Sequence, residues 1–196
     1  MRRGALQWAL GALAFVMAAS APEAHAQTPP AVIVVADINQ VLRDAKAAKD
    51  VQGQIDKAMT SYSKQVSSQE NELQKMRDDL ERQRAGLSSE AFATKTRDYQ
   101  QRFDALDRNV QSKRQALQKS YNDAMTTVEN TALQIISDIA AERKANLVLT
   151  RAAVLFSVDG LDITAEVVKR LDVKLSSLTV SLPKDDGAAA KPASKP

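Results

Sequence analysis

The sequence contains no cysteine, one histidine and one tryptophan in 196 residues. The histidine is His25 and the tryptophan is Trp8, so beyond residue 26 the chain has none of these three residue types. Their absence removes thiol nucleophiles, imidazole bases, disulfides and the usual ligands of structural zinc. Only chemistry by Asp and Glu stays open, and no segment builds paired acids in a cleft. We therefore predict a protein that is not an enzyme and that has no cofactor and no metal site.

Proline and glycine are also scarce. No proline occurs between Pro30 and Pro183, which suits long uninterrupted helices. The glycines beyond residue 26 are scattered, at positions 53, 86, 160 and 187, and form no phosphate-binding loop. The formal net charge is only +3, from 27 basic and 24 acidic residues. A charge this small and dispersed argues against a nucleic acid partner.

The first 26 residues have the pattern of a secretory signal. Arg2 and Arg3 precede an apolar run over residues 6–19, and Ala24-His25-Ala26 provides a cleavage site. A membrane anchor is the alternative, but the run is shorter than the roughly 20 apolar residues that span a bilayer. We predict that residues 1–26 are a signal peptide and that the protein is exported.

Two heptad stripes dominate the middle of the chain, separated by Gly86-Leu87-Ser88-Ser89. The first comprises Ile55, Met59, Tyr62, Val66, Gln69, Leu73, Met76, Leu80, Gln83 and Leu87. The second comprises Tyr99, Phe103, Leu106, Val110, Leu117, Ala124, Val128 and Ile135. Heptad spacing needs a partner helix to bury its seam, and the returning stripe provides it. The pattern predicts an antiparallel coiled-coil arm over residues 45–144, roughly 60 Å long.

The flanks of this arm predict short strands. Before the arm, residues 31–35 form a β-branched run, and Asp37 is placed to cap a helix over residues 38–44. After the arm, residues 146–150 and 153–157 indicate two strands joined by a turn.

The end of the chain predicts one more helix and one more strand. Thr164 is a candidate N-cap of a short helix, and the alternation of Leu178, Val180 and Leu182 indicates a last strand. Residues 183–196 lack the apolar content to bury a core and predict a disordered tail.

Together these segments predict a mainly helical α+β fold, in which the hairpin projects from a small β-rich body made of residues 27–44 and 145–182. A body of this size has a marginal core and exposed strand edges, and self-association would solve both problems. We therefore predict an obligate oligomer. The apolar residues assigned to the body core or to the subunit interface are Val32, Val34, Leu147, Leu149, Leu155 and Phe156.

The two ends of this arrangement resemble a known family. Residues 32–42 resemble the opening strand and helix of the Skp (OmpH-like) periplasmic chaperones, and residues 146–149, 153–156 and 161–171 resemble their closing segment. The resemblance covers essentially residues 31–172. It implies a jellyfish-shaped homotrimer in the periplasm, whose β-sheet body holds three arms around a cavity. It further implies a holdase that binds unfolded outer-membrane proteins without ATP and prevents their aggregation in transit.

The arms depart from some members of that family in charge. Between residues 73 and 102 seven basic residues face five acidic ones, so the arm is only mildly basic and binding of a membrane surface or lipopolysaccharide is only weakly indicated. Most stripe residues serve the seam, but methionine adapts to varied apolar partners. The residues on the arms that we name as candidate client contacts are Met59, Met76, Lys75, Arg82, Arg84, Lys95 and Arg97.

A static periplasmic adaptor, a coiled-coil hairpin that bridges parts of a secretion or efflux assembly, is the competing interpretation. Such adaptors usually carry sizeable β-rich domains beside the hairpin, and the flanks here are short. A holdase would bind many unfolded proteins, whereas an adaptor would bind one folded partner.

Overall fold

The computed structural model describes residues 29–183. Predicted residues 1–26, the signal peptide, lie outside this range, as does nearly all of the predicted tail. The elements in chain order are strand β1 (Ile33–Ala36), helix α1 (Ile38–Asp44), helix α2 (Lys46–Gln83), helix α3 (Ser89–Glu142), strand β2 (Leu147–Thr150) and helix α4 (Thr164–Lys174). The predicted fold class, mainly helical with a small strand component, is confirmed.

The long helices α2 and α3 form the antiparallel hairpin. At the turn, the N–H groups of Gly86 and Leu87 both donate to the carbonyl of Gln83, which ends α2. Ser88 then caps α3, because its hydroxyl accepts a hydrogen bond from the Ala91 N–H at 3.2 Å. Farther down the arm, the Tyr62 hydroxyl donates to Asn109 Oδ1 at 2.7 Å across the two helices.

The seam between α2 and α3 is thinner than the heptad pattern predicts. Near the base of the arm Ile55 and Leu117 are buried, but in the outer part of α2 only Leu73 is, at 8% exposure. Met59 and Phe103, both at predicted seam positions, are 51% and 50% exposed. Two helices with no third neighbour cover only part of each other, so most seam residues of the outer arm remain partly in contact with solvent.

The main core lies where the base of the arm meets the strands and α4. Its fully buried members are Val41, Ala45, Ala47, Val128, Ala132, Ile139, Ile163, Val167 and Leu171. The alanines let backbones approach closely, and the branched residues fill the space between α1, α3 and α4. Asp37 caps α1 as predicted, because its Oδ1 accepts from the Gln40 N–H at 2.9 Å.

The sheet has two parallel strands. Ile33 is in register with Leu147, and Ala36 with Thr150. A single parallel bridge joins Val35 to Asp162 beside β1. Parallel pairing follows from the topology, because the whole hairpin lies between the two strands and serves as their crossover.

Two of the predicted strands are wrong in the single chain. Residues 153–157 form the end of a 3₁₀ turn (Arg151–Ala153) followed by irregular backbone. The segment containing Leu178, Val180 and Leu182 is also outside any sheet. Both segments alternate apolar and polar residues as strands do. This alternation indicates only that one side of the segment is buried, because a strand also needs a neighbouring strand with which to form hydrogen bonds.

The predicted cap of α4 is also corrected. Thr164 is the first residue of the helix, and its hydroxyl accepts a hydrogen bond from the Asp37 N–H at 2.9 Å. The carboxylate of Asp162 instead accepts from the Thr164 N–H at 2.8 Å. Thr164 therefore ties α4 to the start of α1, which explains why this polar residue is buried.

Candidate functional site

Exposed apolar side chains gather in β2 and in the segment that follows it. We call this surface the body face and define it by Leu147, Val148, Leu155, Phe156 and Val158, which are all exposed. Leu155 and Phe156 are 108% and 82% exposed, so neither contributes to the core of the single chain. Several large apolar side chains left exposed in one short stretch of chain indicate an interaction site.

The body face includes an open strand edge. β1 occupies one side of β2, and within residues 29–183 no strand pairs with the other side. An open edge presents a row of N–H and C=O groups that can bond another chain. The arrangement therefore combines backbone hydrogen-bonding groups with apolar side chains, which is the chemistry of a protein–protein interface.

Ionic contacts hold the segment between β2 and α4 in place. Arg151 donates to the hydroxyl of Ser157 at 2.8 Å and lies 3.4 Å from the Asp162 carboxylate. Burial raises the pKa of Asp162, but hydrogen bonds from Thr164 and the charge of Arg151 together hold that pKa below its usual value. The segment bearing Leu155 and Phe156 is thus closed into a loop at its base, which presents both side chains outward.

A second ionic cluster fastens α4 to the end of α3. Glu166 accepts from Arg143 at 2.7 Å and from Arg170 at 2.6 Å, and Arg170 also contacts Glu142 at 2.7 Å. Hydrogen bonds from Arg143 and Arg170 lower the pKa of Glu166. Hydrogen bonding to Arg170 likewise lowers the pKa of Glu142, and both carboxylates raise the pKa of Arg170.

The residues assigned to the body core or interface separate into two groups. Val34 is in the core at 2% exposure, and Leu149 is partly buried. The remaining four are exposed: Val32, Leu147, Leu155 and Phe156. This division makes Val34 a core residue and leaves the exposed four available for contact with another chain.

The candidate client contacts do not form one cluster. Met59 is half exposed, whereas Met76 is partly buried in the seam. Both Lys75 and Arg97 are exposed on the outer half of the arm.

Near the tip, three of the basic candidates bind within the hairpin. Arg82 pairs with Asp79, Arg84 lies 5.8 Å from the centre of the Phe92 ring, and Lys95 donates to Gln83 Oε1 at 2.6 Å. Their charges are exposed but partly satisfied, which weakens any attraction they exert on acidic ligands.

A groove between α2 and α3 was missed by sequence reasoning. There, the side chains of Gln54 and Ser120 hydrogen-bond the backbone of residues 178–181. The alternation of Leu178, Thr179 and Val180 signalled an extended segment, but nothing in the sequence indicated that a helix side chain would bond it.

The described part of the chain contains no group of His, Cys, Asp or Glu residues able to hold a metal ion. Within residues 29–183, no helix is both long enough and apolar enough to cross a membrane. What the structure presents is surface for binding: the body face, half-exposed apolar side chains along the arm, and the groove at the arm base.

Comparisons with known proteins agree with this architecture. The family model of the outer membrane protein (OmpH-like) family matches residues 32–171. A crystal structure from Caulobacter crescentus CB15, of a protein proposed to be an OmpH-like outer membrane chaperone, has a TM-score of 0.73 at 18% sequence identity. That match covers 81% of this chain and 95% of the other, and at this identity it shows a shared fold. No curated protein sequence matches the chain.

Proposed function

Because the chain belongs to the OmpH-like family, a family of periplasmic chaperones for outer-membrane proteins, we propose that it is an ATP-independent holdase. It would bind unfolded outer-membrane proteins and prevent their aggregation on the way to the outer membrane. Residues 1–26 would direct export as a cleavable signal peptide. In keeping with the character of the family, the protein would act by binding and without catalysis.

The observation that carries this proposal is the incomplete burial of the arm. Met59, Phe103 and Leu133 are each about half exposed, although they lie on long helices whose polar faces are well solvated. Half-exposed apolar side chains spread along a rod offer many weak contacts to an unfolded chain. Methionine suits this role, because its flexible side chain adapts to differently shaped partners.

The body face supports assembly into a homotrimer. Leu155 and Phe156, with the open edge of β2, would meet the equivalent region of neighbouring subunits and bury the apolar surface that the single chain leaves exposed. Three arms held on one body would surround a client together. Individually weak contacts then add up to useful affinity, and each can break without an energy source when the client leaves.

A light-scattering assay tests the holdase. A denatured β-barrel protein is diluted into buffer with and without the mature chain, and we expect suppression of aggregation near one trimer per client. Met59→Asp should raise the concentration needed by about fivefold, because a charge replaces an apolar contact on each of three arms.

The matched control is Ser61→Asp, which adds the same charge to an exposed position on the other side of α2. It should suppress aggregation as the unmodified chain does. Absence of suppression by the unmodified chain, even in large excess, would reject the holdase function.

A further inference from the structure

Residues 175–183 lie beyond the matched family region and return along the arm. We call this segment the strap. It follows the end of α4 and reaches the groove between α2 and α3, where Val180 is only 4% exposed. Val180 packs with four buried arm residues, which we call the arm groove: Val51, Ile55, Leu117 and Ala124.

One glutamine on α2 bonds the strap in the manner of a β-strand. Gln54 Nε2 donates to the Leu178 carbonyl at 2.7 Å, and Gln54 Oε1 accepts from the Val180 N–H at 3.0 Å. In a parallel sheet, each bonded residue makes the same pair of bonds to the neighbouring strand. Its N–H donates to the carbonyl of the residue before its partner, and its carbonyl accepts from the N–H of the residue after its partner. The side-chain amide therefore takes the place of a strand edge, which explains how the strap is bound outside any sheet.

Other contacts to the strap also involve its backbone. Ser120 Oγ donates to the Ser181 carbonyl at 2.6 Å, and Lys113 Nζ donates to the Pro183 carbonyl at 3.0 Å. Asp50 Oδ2 lies 3.4 Å from the Leu178 N–H. Because every peptide segment offers such groups, these bonds require an extended backbone and hardly depend on its sequence.

Over residues 178–181 the side chains of the strap alternate about this backbone, whereas Leu182 is 42% exposed. Leu178 and Val180 are turned toward the arm, whereas Thr179 and Ser181 are exposed. Strands of β-barrel proteins alternate apolar and polar residues with the same period of two. Residues 178–181 of the strap thus have the pattern of part of one unfolded strand of the client that the chaperone is proposed to hold.

We propose that the arm groove is a binding site for extended segments with alternating apolar residues, and that the strap is its resident occupant. The proposal rests on the proposed holdase function and adds a defined subsite to it. A client segment displaces the strap, takes over its bonds to Gln54 and places apolar side chains against Ile55 and Leu117.

The short connection from α4 explains why the strap remains bound without client. Tethering gives the strap an effective concentration of the order of millimolar at the groove, so a free segment must compete with it. The apparent affinity of the groove for a free segment is proportional to the fraction of molecules in which the strap has left the groove open. Release of a client returns the strap and covers the apolar groove again.

The experiment measures binding of a dye-labelled peptide with the sequence of residues 175–183 to the full mature chain by fluorescence anisotropy. Val180→Asp should bind the peptide at least about tenfold more tightly than the unmodified chain, because a buried charge releases the strap from an intact groove. Thr179→Asp places the same charge on the exposed side of the same strap and should leave the affinity unchanged. Val180→Ser serves as a milder releasing variant and should also tighten binding.

When Gln54→Ala is combined with Val180→Asp, the gain in peptide affinity should disappear. When Gln52→Ala, at an exposed position on the same helix, is combined with Val180→Asp, the gain in affinity should remain. Equal peptide affinity in the two Asp variants, or full binding without Gln54, would overturn the proposed groove. Aggregation assays on the same proteins separate the two proposals. A chain that suppresses aggregation but shows no release effect rejects the groove alone, and one that binds the peptide but never suppresses aggregation rejects the holdase.

Discussion

Single side chains decide how α4 is joined to α1 and α3. Thr164 connects α4 to the start of α1, and Glu166 connects α4 to Arg143 at the end of α3. The capping role of Asp37 was predictable, because its acceptor and its donor are three residues apart. The role of Thr164 was not, since its partner Asp37 is 127 residues away in the chain.

Glu166 leads to a prediction about pH. Its pKa is lowered from a usual value of 4.5 by hydrogen bonds from Arg143 and Arg170, so the folded state prefers the charged form. The stabilisation is fully present above the usual pKa and is lost as the pH falls through the lowered value. Glu166→Gln should therefore lower the urea midpoint at pH 7, and its difference from the unmodified chain should shrink below about pH 4.5.

Urea unfolding followed by circular dichroism across pH 3 to 7 measures this difference. Glu129→Gln, at an exposed position on α3, is the control and should leave the midpoint almost unchanged throughout. A Glu166→Gln effect that is the same size at pH 3 and pH 7 would contradict the ionic explanation.

At the scale of elements, the hairpin was predictable and its packing was not. The hairpin consists of the long helices Lys46–Gln83 and Ser89–Glu142, as the two heptad stripes predict. The 3.5-residue repeat predicts two paired helices. It does not predict how completely each position is buried when no third helix packs against the pair. Met59 shows the consequence, since it occupies a seam position and is still half exposed.

The thin seam predicts a local weakness in the outer arm. Leu73 is the one buried residue in the outer part of α2, so Leu73→Ala should destabilise that region by about 2–3 kcal/mol. Because few other contacts hold the outer arm, the effect should appear as faster amide exchange there, with the base unaffected. Hydrogen–deuterium exchange resolved by mass spectrometry measures it.

The control for that variant is Leu133→Ala, which removes the same atoms from a half-exposed position. It should change exchange little anywhere. Uniformly faster exchange over arm and core in Leu73→Ala would show that the arm unfolds together with the body.

At the scale of the whole molecule, the most informative surface is the body face. A single chain leaves Phe156 largely exposed and one edge of β2 open, and association of copies would remove both from solvent. Phe156→Asp should therefore lower the mass measured by sedimentation from that of the proposed trimer toward that of a monomer, because burying an unpaired charge opposes association.

Phe103→Asp is the matched control, since Phe103 is a half-exposed aromatic residue on the arm. Its mass should remain that of the unmodified chain. A Phe156→Asp protein that sediments as the unmodified chain does would exclude the body face as the subunit interface.

The sequence by itself determined the helices, the turn between them and the positions of two strands, β1 and β2, but not that these strands pair. These features depend on contacts near in the chain or on a repeat that continues over many residues, so their signals are periodic and local. The lack of histidine and cysteine beyond residue 26 also limits which side chains could carry out catalysis.

Only the tertiary structure decided what the strand-like segments do. Residues 153–157 and the strap share an alternating pattern, yet one presents Phe156 to solvent and the other buries Val180 against the arm. Period-two alternation specifies that one side of a segment is buried, but the burying surface comes from residues far away in the chain. For the strap that surface is α2 and α3, with Gln54 supplying the bonds that another strand would otherwise provide.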